Sequence, residues 1–287
     1  MPELPEVETI RRDLSGLIIG KKISGVEVRV ASMVSPRGFA KILAGRKIEK
    51  IERRAKLLIF SLSNGLKMLV HLKLTGQLVY RNKKGAARGA AGGHPLGADL
   101  KVLPNKFSHV IFNFSGGGRL FFNDMRKFGY LKIVKAAELE RVEAEYGTEP
   151  LSKAFTLKKF RVLLARRLNL KIKQFLMEQN LLAGIGNIYS DEACFCAGVR
   201  PVRTAKSLTA SETKKLRRCI IGVLKLALKK RGASAENYVD AYGRAGDFVP
   251  YLKVYGRAGE KCRRGGVDLL KLKIGGRTSV YCPRCQK

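Results

Sequence analysis

Apolar positions change period twice along this chain. EVETIRRDLSGLI (6–18) places Val7, Ile10 and Leu14 on one face, with Gly16 near its end, and predicts a helix. Short runs of β-forming residues follow. VEVRV (26–30) alternates, and LLIFSL (57–62), KMLVHLKL (67–74), HVIFNF (109–114), RLFFND (119–124) and YLKIV (130–134) are separated by turn residues. Asn64-Gly65 and the glycines at 116–118 predict hairpin turns. Strands this short and this closely spaced predict a sandwich or barrel. Residues 83–100, rich in Gly, Ala and basic side chains, predict a mobile insertion.

From about residue 150 the spacing becomes helical. LKKFRVLLARR and IKQFLMEQ predict helices, and Thr209 with Glu212 forms a capping-box signature. Behind it, Leu216, Ile220, Val223, Leu224 and Ala227 line one helical face. Beyond about 250 the pattern returns to β-like segments. The layout is a β-rich part over 1–135, a helical part over 136–249 and a small terminal module over 250–287, an α+β chain.

Charge narrows the partners. Lys and Arg number 57 against 23 Asp and Glu, a formal net charge of +34 in 287 residues, spread through strand-like and helix-like segments alike. An excess this large calls for a polyanion to offset its self-repulsion, and nucleic acid is favoured over an acidic membrane surface. No apolar run is long enough for a membrane span, and the acidic, proline-containing start lacks the apolar stretch of a signal peptide. Six cysteines without such a signal point to a reducing cytoplasm. Cys194, Cys196 and Cys219, in apolar helical surroundings, are expected to be core thiols.

LLAGIGNIYSDEACFCAG (181–198) reads as a helical turn. Gly184 and Gly186 permit unusual backbone angles, Asn187 suits an N-cap and Gly198 a helix stop. A helix beginning there can hold a phosphate on its free N–H groups; a plain turn between two helices fits the same residues.

Three stretches, MPELPEVET, AGIGNIYSDEA and VYGRAGEKC with YCPRCQK, together resemble the bacterial formamidopyrimidine-DNA glycosylases, from residue 2 to residue 287. The resemblance implies an N-terminal β-sandwich with a flanking helix, a helical domain with a helix-two-turn-helix, and a zinc-finger-like hairpin. It implies repair of oxidised purines in double-stranded DNA, 8-oxoguanine and ring-opened purines among them, by a monomer in the bacterial cytoplasm at the nucleoid. The endonuclease VIII type, which prefers oxidised pyrimidines, begins differently after its first Pro-Glu. A non-catalytic relative that only binds damaged DNA is the other alternative.

On this resemblance the start of the chain acquires chemistry. Loss of Met1 would make Pro2 a secondary amine, partly unprotonated near neutrality, able to attack a sugar C1′ and form a cationic imine. β,δ-Elimination of the flanking phosphates would follow. Glu3 would protonate the sugar ring oxygen, Glu6 would support it, and Lys56 would contact the damaged site. Reading the lesion requires extruding the base. Arg126 matches the residue facing the orphaned cytosine, Phe128 matches a wedge, and Leu74 stands where the family usually has Met. Lys173, Asn187 and Arg277 resemble phosphate contacts, Arg257 less closely. Gly232 to Tyr238 falls in the loop that closes over an extruded 8-oxoguanine.

The terminal module departs from the family's four-cysteine pattern. Cys262, Cys282 and Cys285 keep the spacing, but Gly265 occupies the second ligand position. Three readings stand: zinc on three cysteines, with water or a side chain such as Asp268 completing it; a metal-free hairpin; or a disabled module.

Overall fold

The structure is a computed structural model describing residues 1–83, 91–92, 102–234 and 246–287. The chain forms two compact units, Met1–Ala144 with Lys230–Asp247, and Glu145–Lys229 with Phe248–Lys287. No helix among the described residues is long and apolar enough to cross a membrane.

In the first unit, α1 (Leu4–Ile18) starts behind the N-cap Glu3, with Pro5 in its first turn, where a missing N–H costs nothing. Its buried face is Val7, Ile10, Leu14 and Ile18. Each such side chain contributes about 1.5–3 kcal/mol on burial. Two five-stranded sheets follow. One runs β1 (Ile23–Val28), β8 (Ser108–Phe114), β9 (Arg119–Asp124), β6 (Gly76–Arg81), β7 (Ala91–Gly92). The other runs β2 (Val34–Ser35), β10 (Tyr130–Val134), β5 (Lys67–His71), β4 (Leu57–Leu62), β3 (Ile48–Arg54), with only β2 and β10 parallel. Leu78, Phe112 and Phe122 of the first sheet share one core with Phe60, Val70 and Leu131 of the second and with α1. A short α2 (Phe39–Leu43) sets Phe39 edge-on against Phe112 at 6.5 Å. The expected β-sandwich with its flanking helix is therefore present. α3 (Ala136–Ala144) closes this stretch.

β4, β9 and β10 keep their predicted bounds, whereas β5 stops at His71 instead of reaching Leu74. Lys73 has φ +50, and Gly76 N–H donates to Leu72 O at 2.9 Å, so 72–75 is a turn. Gly76 must be glycine there, since a Cβ would lie 2.5 Å from Leu72 O. Most of the predicted 83–100 insertion lies outside the described residues.

In the second unit, α4 (Leu157–Ala165) is capped by Thr156 Oγ1, which accepts from Lys159 N–H at 3.1 Å. α5 (Ile172–Met177) and α6 (Asn187–Ala197) follow, and α6 ends at Gly198 with φ +75. α7 (Ala210–Lys229) begins with the expected box: Thr209 N–H donates to Glu212 Oε2 at 2.8 Å, and Glu212 N–H to Thr209 Oγ1 at 3.1 Å. β11 (Leu270–Ile274) and β12 (Arg277–Tyr281) form the terminal hairpin. One expectation fails here. Cys196 and Cys219 are not core thiols but a disulfide joining α6 to α7, whose Cα atoms stand 5.7 Å apart, within disulfide reach. Cys194 remains a buried thiol, its ionisation suppressed by burial.

Candidate active site

The chain start is ordered by its own acids. Glu3 N–H donates to Glu6 Oε2 at 2.8 Å, closing a capping box at the head of α1, and both residues are buried. The other oxygen, Glu6 Oε1, accepts from Ala233 N–H at 2.8 Å. Gly232 there has φ +87, and a Cβ on it would stand 2.7 Å from Glu6 Oε1. Glu6 thus ties the segment behind Pro2 to residues 232–233. Residues 235–240 of that loop, Tyr238 included, lie outside the described residues.

Lys56 follows Ala55, which has φ +54, in the turn joining β3 to β4, and it is buried. Arg53 fixes this turn, donating to Ala55 O at 2.8 Å and to Glu8 Oε2 on α1 at 3.2 Å. Glu8 also accepts from Arg11 and Arg12. Burial pushes its carboxyl up, but these partners and Arg53 overcome that and hold it at about 2. His71 is buried, and burial, then the charges of Lys73 and Lys56, push it down to about 3, so it is neutral at physiological pH. Its Nδ1 accepts from Lys73 N–H at 2.9 Å.

Leu74, Arg126 and Phe128 come together on two turns joined by one buried acid. Asp124 Oδ1 accepts from Thr75 Oγ1 and from Arg126 N–H, the latter at 3.1 Å, while Oδ2 accepts from Gly129 N–H at 2.7 Å. Thr75 Oγ1 also accepts from Arg126 N–H at 3.1 Å. A Cβ on Gly129 would meet Phe122 Cζ at 2.7 Å. The result is a braced turn that leaves Phe128 53% exposed, with the Arg126 guanidinium 4.8 Å from its ring centroid. An aromatic on a turn braced by a fully buried carboxylate is held out in solvent rather than packed into the core. The sequence reading missed Thr75 and Asp124. The signal was there: an acid two residues before an arginine in a strongly basic chain.

In the second unit, Gly186 is the N-cap of α6 and Asn187 its first residue, one position from the expectation. Asn187 Oδ1 is buried and has no hydrogen-bond partner among the described residues. Lys173 is fully buried. Its Nζ donates to Asn187 O at 3.0 Å and to Asp191 Oδ1 at 2.6 Å, which leaves it no surface for a phosphate and makes it a support for the turn. Asp191 also accepts from Ser279 Oγ and, at 3.1 Å, from Val280 N–H, binding α6 to the hairpin that carries exposed Arg277. Burial pushes its carboxyl up against the pull of Lys173. Glu192 Oε1 accepts from the N–H groups of Lys253, Val254 and Tyr255 at 2.9–3.0 Å. Asp191 and Glu192 stood unassigned in the SDEA run, although two adjacent acids in an apolar helix of a basic protein mark buried partners. Arg257 is turned inward, donating to Glu260 Oε2 at 2.8 Å and Lys253 O at 2.9 Å.

The sulfurs of Cys262, Cys282 and Cys285 lie within 4.8 Å of one another. Gly265 N–H donates to Cys262 Sγ at 3.2 Å and Cys285 N–H to Cys282 Sγ at 3.4 Å. Amide donors of this kind favour the thiolate form that metals bind, and the donor set fits zinc. Asp268 is not among the clustered groups; its Oδ1 pairs with Lys261 Nζ at 2.9 Å.

Family models match nearly the whole chain: the formamidopyrimidine-DNA glycosylase N-terminal domain over 1–131, its H2TH domain over 146–238, and a zinc finger found in FPG and IleRS over 259–287. The zinc-finger match and the three-cysteine cluster indicate one structural zinc, three of whose ligands are visible. Curated relatives named formamidopyrimidine-DNA glycosylase from Pelotomaculum thermopropionicum and Desulfitobacterium hafniense are each 41% identical, covering all of this chain and 99% and 100% of theirs. Among solved structures, Lactococcus lactis Fpg bound to DNA containing an abasic site matches with a TM-score of 0.87 at 34% identity over 99% of both chains. The wild-type Lactococcus lactis protein with N7-benzyl-Fapy-dG DNA matches with the same score and identity over 100% of both.

Proposed function

The chain belongs to the formamidopyrimidine-DNA glycosylase family, and from that premise we propose how its residues divide the work of a glycosylase and abasic-site lyase acting on oxidised purines in duplex DNA. Residues 1–135 carry the chemistry, 136–249 grip the backbone, and 250–287 hold a structural zinc on Cys262, Cys282 and Cys285 that stiffens the hairpin bearing Arg277. The enzyme works as a monomer in the cytoplasm, at the nucleoid, where its net charge of +34 draws it to DNA.

Removal of Met1 exposes the secondary amine of Pro2. Its lone pair attacks C1′, the bond from C1′ to the base breaks, and the base leaves with a proton. Glu3 protonates the ring oxygen, the ring opens, and a cationic imine remains. The imine acidifies the C2′ proton. Its loss expels the 3′ phosphate, and a second elimination expels the 5′ phosphate. Lys56 holds the sugar-phosphate at this centre. Glu6 keeps Glu3 and the 232–233 segment in register through its two oxygens. Phe128 and Leu74 fill the gap left by the extruded base, and Arg126 meets the orphaned cytosine. Asn187 and Arg277 hold phosphates, with Lys173 positioning Asn187.

The observation that carries this reading is the buried Glu3–Glu6 box directly behind Pro2, which immobilises an N-terminus that a pure binder would leave free. The PELPEVET start supports purine over pyrimidine lesions. The test is an end-labelled duplex with 8-oxoguanine opposite cytosine. Release of the free base, with a gap bearing phosphate at both ends, is expected. Binding without release would support the non-catalytic alternative, and faster release from oxidised pyrimidines the endonuclease VIII type.

A further inference from the structure

We infer that the metal of the terminal finger keeps one exchangeable coordination position, at Gly265, that takes a small thiolate from solution. The inference rests on the zinc reading of the finger.

Four observations converge on this corner. Glycine at 265 supplies no ligand atom where the cysteine spacing puts one, and a Cβ there would lie 2.7 Å from Cys285 Sγ and 3.2 Å from Cys282 Sγ. The position therefore faces two of the three sulfurs directly. Among the described residues no further His, Cys, Asp or Glu joins the cluster. The neighbours that could turn inward are committed elsewhere. Asp268 is paired with Lys261, and the Gln286 side chain accepts from Cys282 N–H at 2.8 Å and donates to Val199 O at 2.9 Å. Finally, Cys262 and Cys282 are buried, but Cys285 and Gly265 are half-exposed, so this side of the cluster is open to solvent.

The surroundings select the ligand class. Zinc closes its structural sites with four donors and keeps a solvent position where only three come from the protein. A metal already held by three thiolates accepts a fourth soft donor readily. Arg284 donates to Gly265 O at 3.1 Å, and Arg264 lies over the Phe195 ring at 4.1 Å, so cations flank the corner and favour an anion. A small thiol binds as its thiolate, releasing a proton to solvent and displacing whatever solvent ligand stood there. No electron is transferred.

The test replaces zinc with cobalt(II) in the full-length protein and titrates 2-mercaptoethanol, reading the thiolate-to-cobalt charge-transfer band. Native protein should bind cobalt with three-thiolate intensity. The band should then rise saturably by about one-third, as expected for a fourth thiolate. The Gly265→Cys variant should show the higher intensity at the outset and no response to added thiol. Gly265 does not have a positive φ, so the backbone accepts cysteine there, and its Cβ, 2.7 Å from Cys285 Sγ as the sulfur now stands, requires that thiol to swing aside. Should that variant fail to fold, the native titration still decides. A native cobalt spectrum indifferent to thiol would overturn the inference while leaving the metal site standing. Failure to take up cobalt would overturn both. Asp268→Asn should leave the titration unchanged, and abolition of cobalt binding by it would also count against the exchangeable position.

Discussion

Replacing Asp191 with alanine should be among the costliest changes in the second unit. Asp191 and Lys173 pair at 2.6 Å with both side chains fully buried. The carboxylate also accepts from Ser279 and Val280 of the hairpin. Removing it strands a buried ammonium, which costs about 3–5 kcal/mol. The two lost bonds from Ser279 and Val280 overlap with that cost, so about 4 kcal/mol in total is the working figure. Against a typical stability of about 5–15 kcal/mol this is a large share. At roughly 2–4 °C per kcal/mol it should lower the transition of that unit by about 10 °C in calorimetry. Duplex binding should fall with it, since the hairpin bearing Arg277 loses its tie to α6. The paired change Lys173→Met with Asp191→Leu should recover most of the stability, because neither charge is then buried alone. A cost below about 1 kcal/mol for Asp191→Ala, or a double variant no better than the single one, would refute the reasoning.

Three further outcomes follow from other parts of the molecule. Glu8, depressed to about 2 from 4.5, contributes stability that is fully present above about pH 4.5 and is lost as pH falls towards 2; Glu8→Gln should flatten that acid limb in a pH series of melts, and an unchanged limb would contradict the assignment. The Cys196–Cys219 bond closes a loop with a sequence separation of 23 residues, so Cys219→Ser should cost about 3 kcal/mol, and alkylation under non-reducing conditions followed by mass spectrometry should find both cysteines protected. Phe128→Ala should slow base excision at least tenfold while leaving cleavage at a pre-formed abasic site within about threefold, a split that measures insertion separately from imine chemistry.

The strands and helices were legible wherever one period held over the whole element. β4, β9, β10 and the buried face of α7 follow directly from their residue patterns. β3 escaped because IEKIERR is mostly charged and buries Ile48 and Ile51 three apart, across a bulge. β6 escaped because it opens on a glycine and a fully buried Gln77. The candidate site was legible where a motif named its residues and illegible where partners meet across the chain. The acids at 124 and 191 are marked by their basic and apolar surroundings, but nothing local names Thr75 as the partner of the one or Lys173 as the partner of the other. The same blindness made Lys173 read as a phosphate contact and Cys196 as a core thiol. Each is decided by a partner 18 or more residues away.

The central claim, that Pro2 is the nucleophile, is tested most directly by borohydride reduction during reaction with abasic-site duplex, followed by peptide mapping of the trapped adduct. The account predicts a single adduct on the N-terminal Pro2 of protein that has lost Met1, and none on protein made to retain an N-terminal extension, with duplex binding largely intact. An adduct mapping to Lys56, or undiminished trapping by the extended protein, would contradict it.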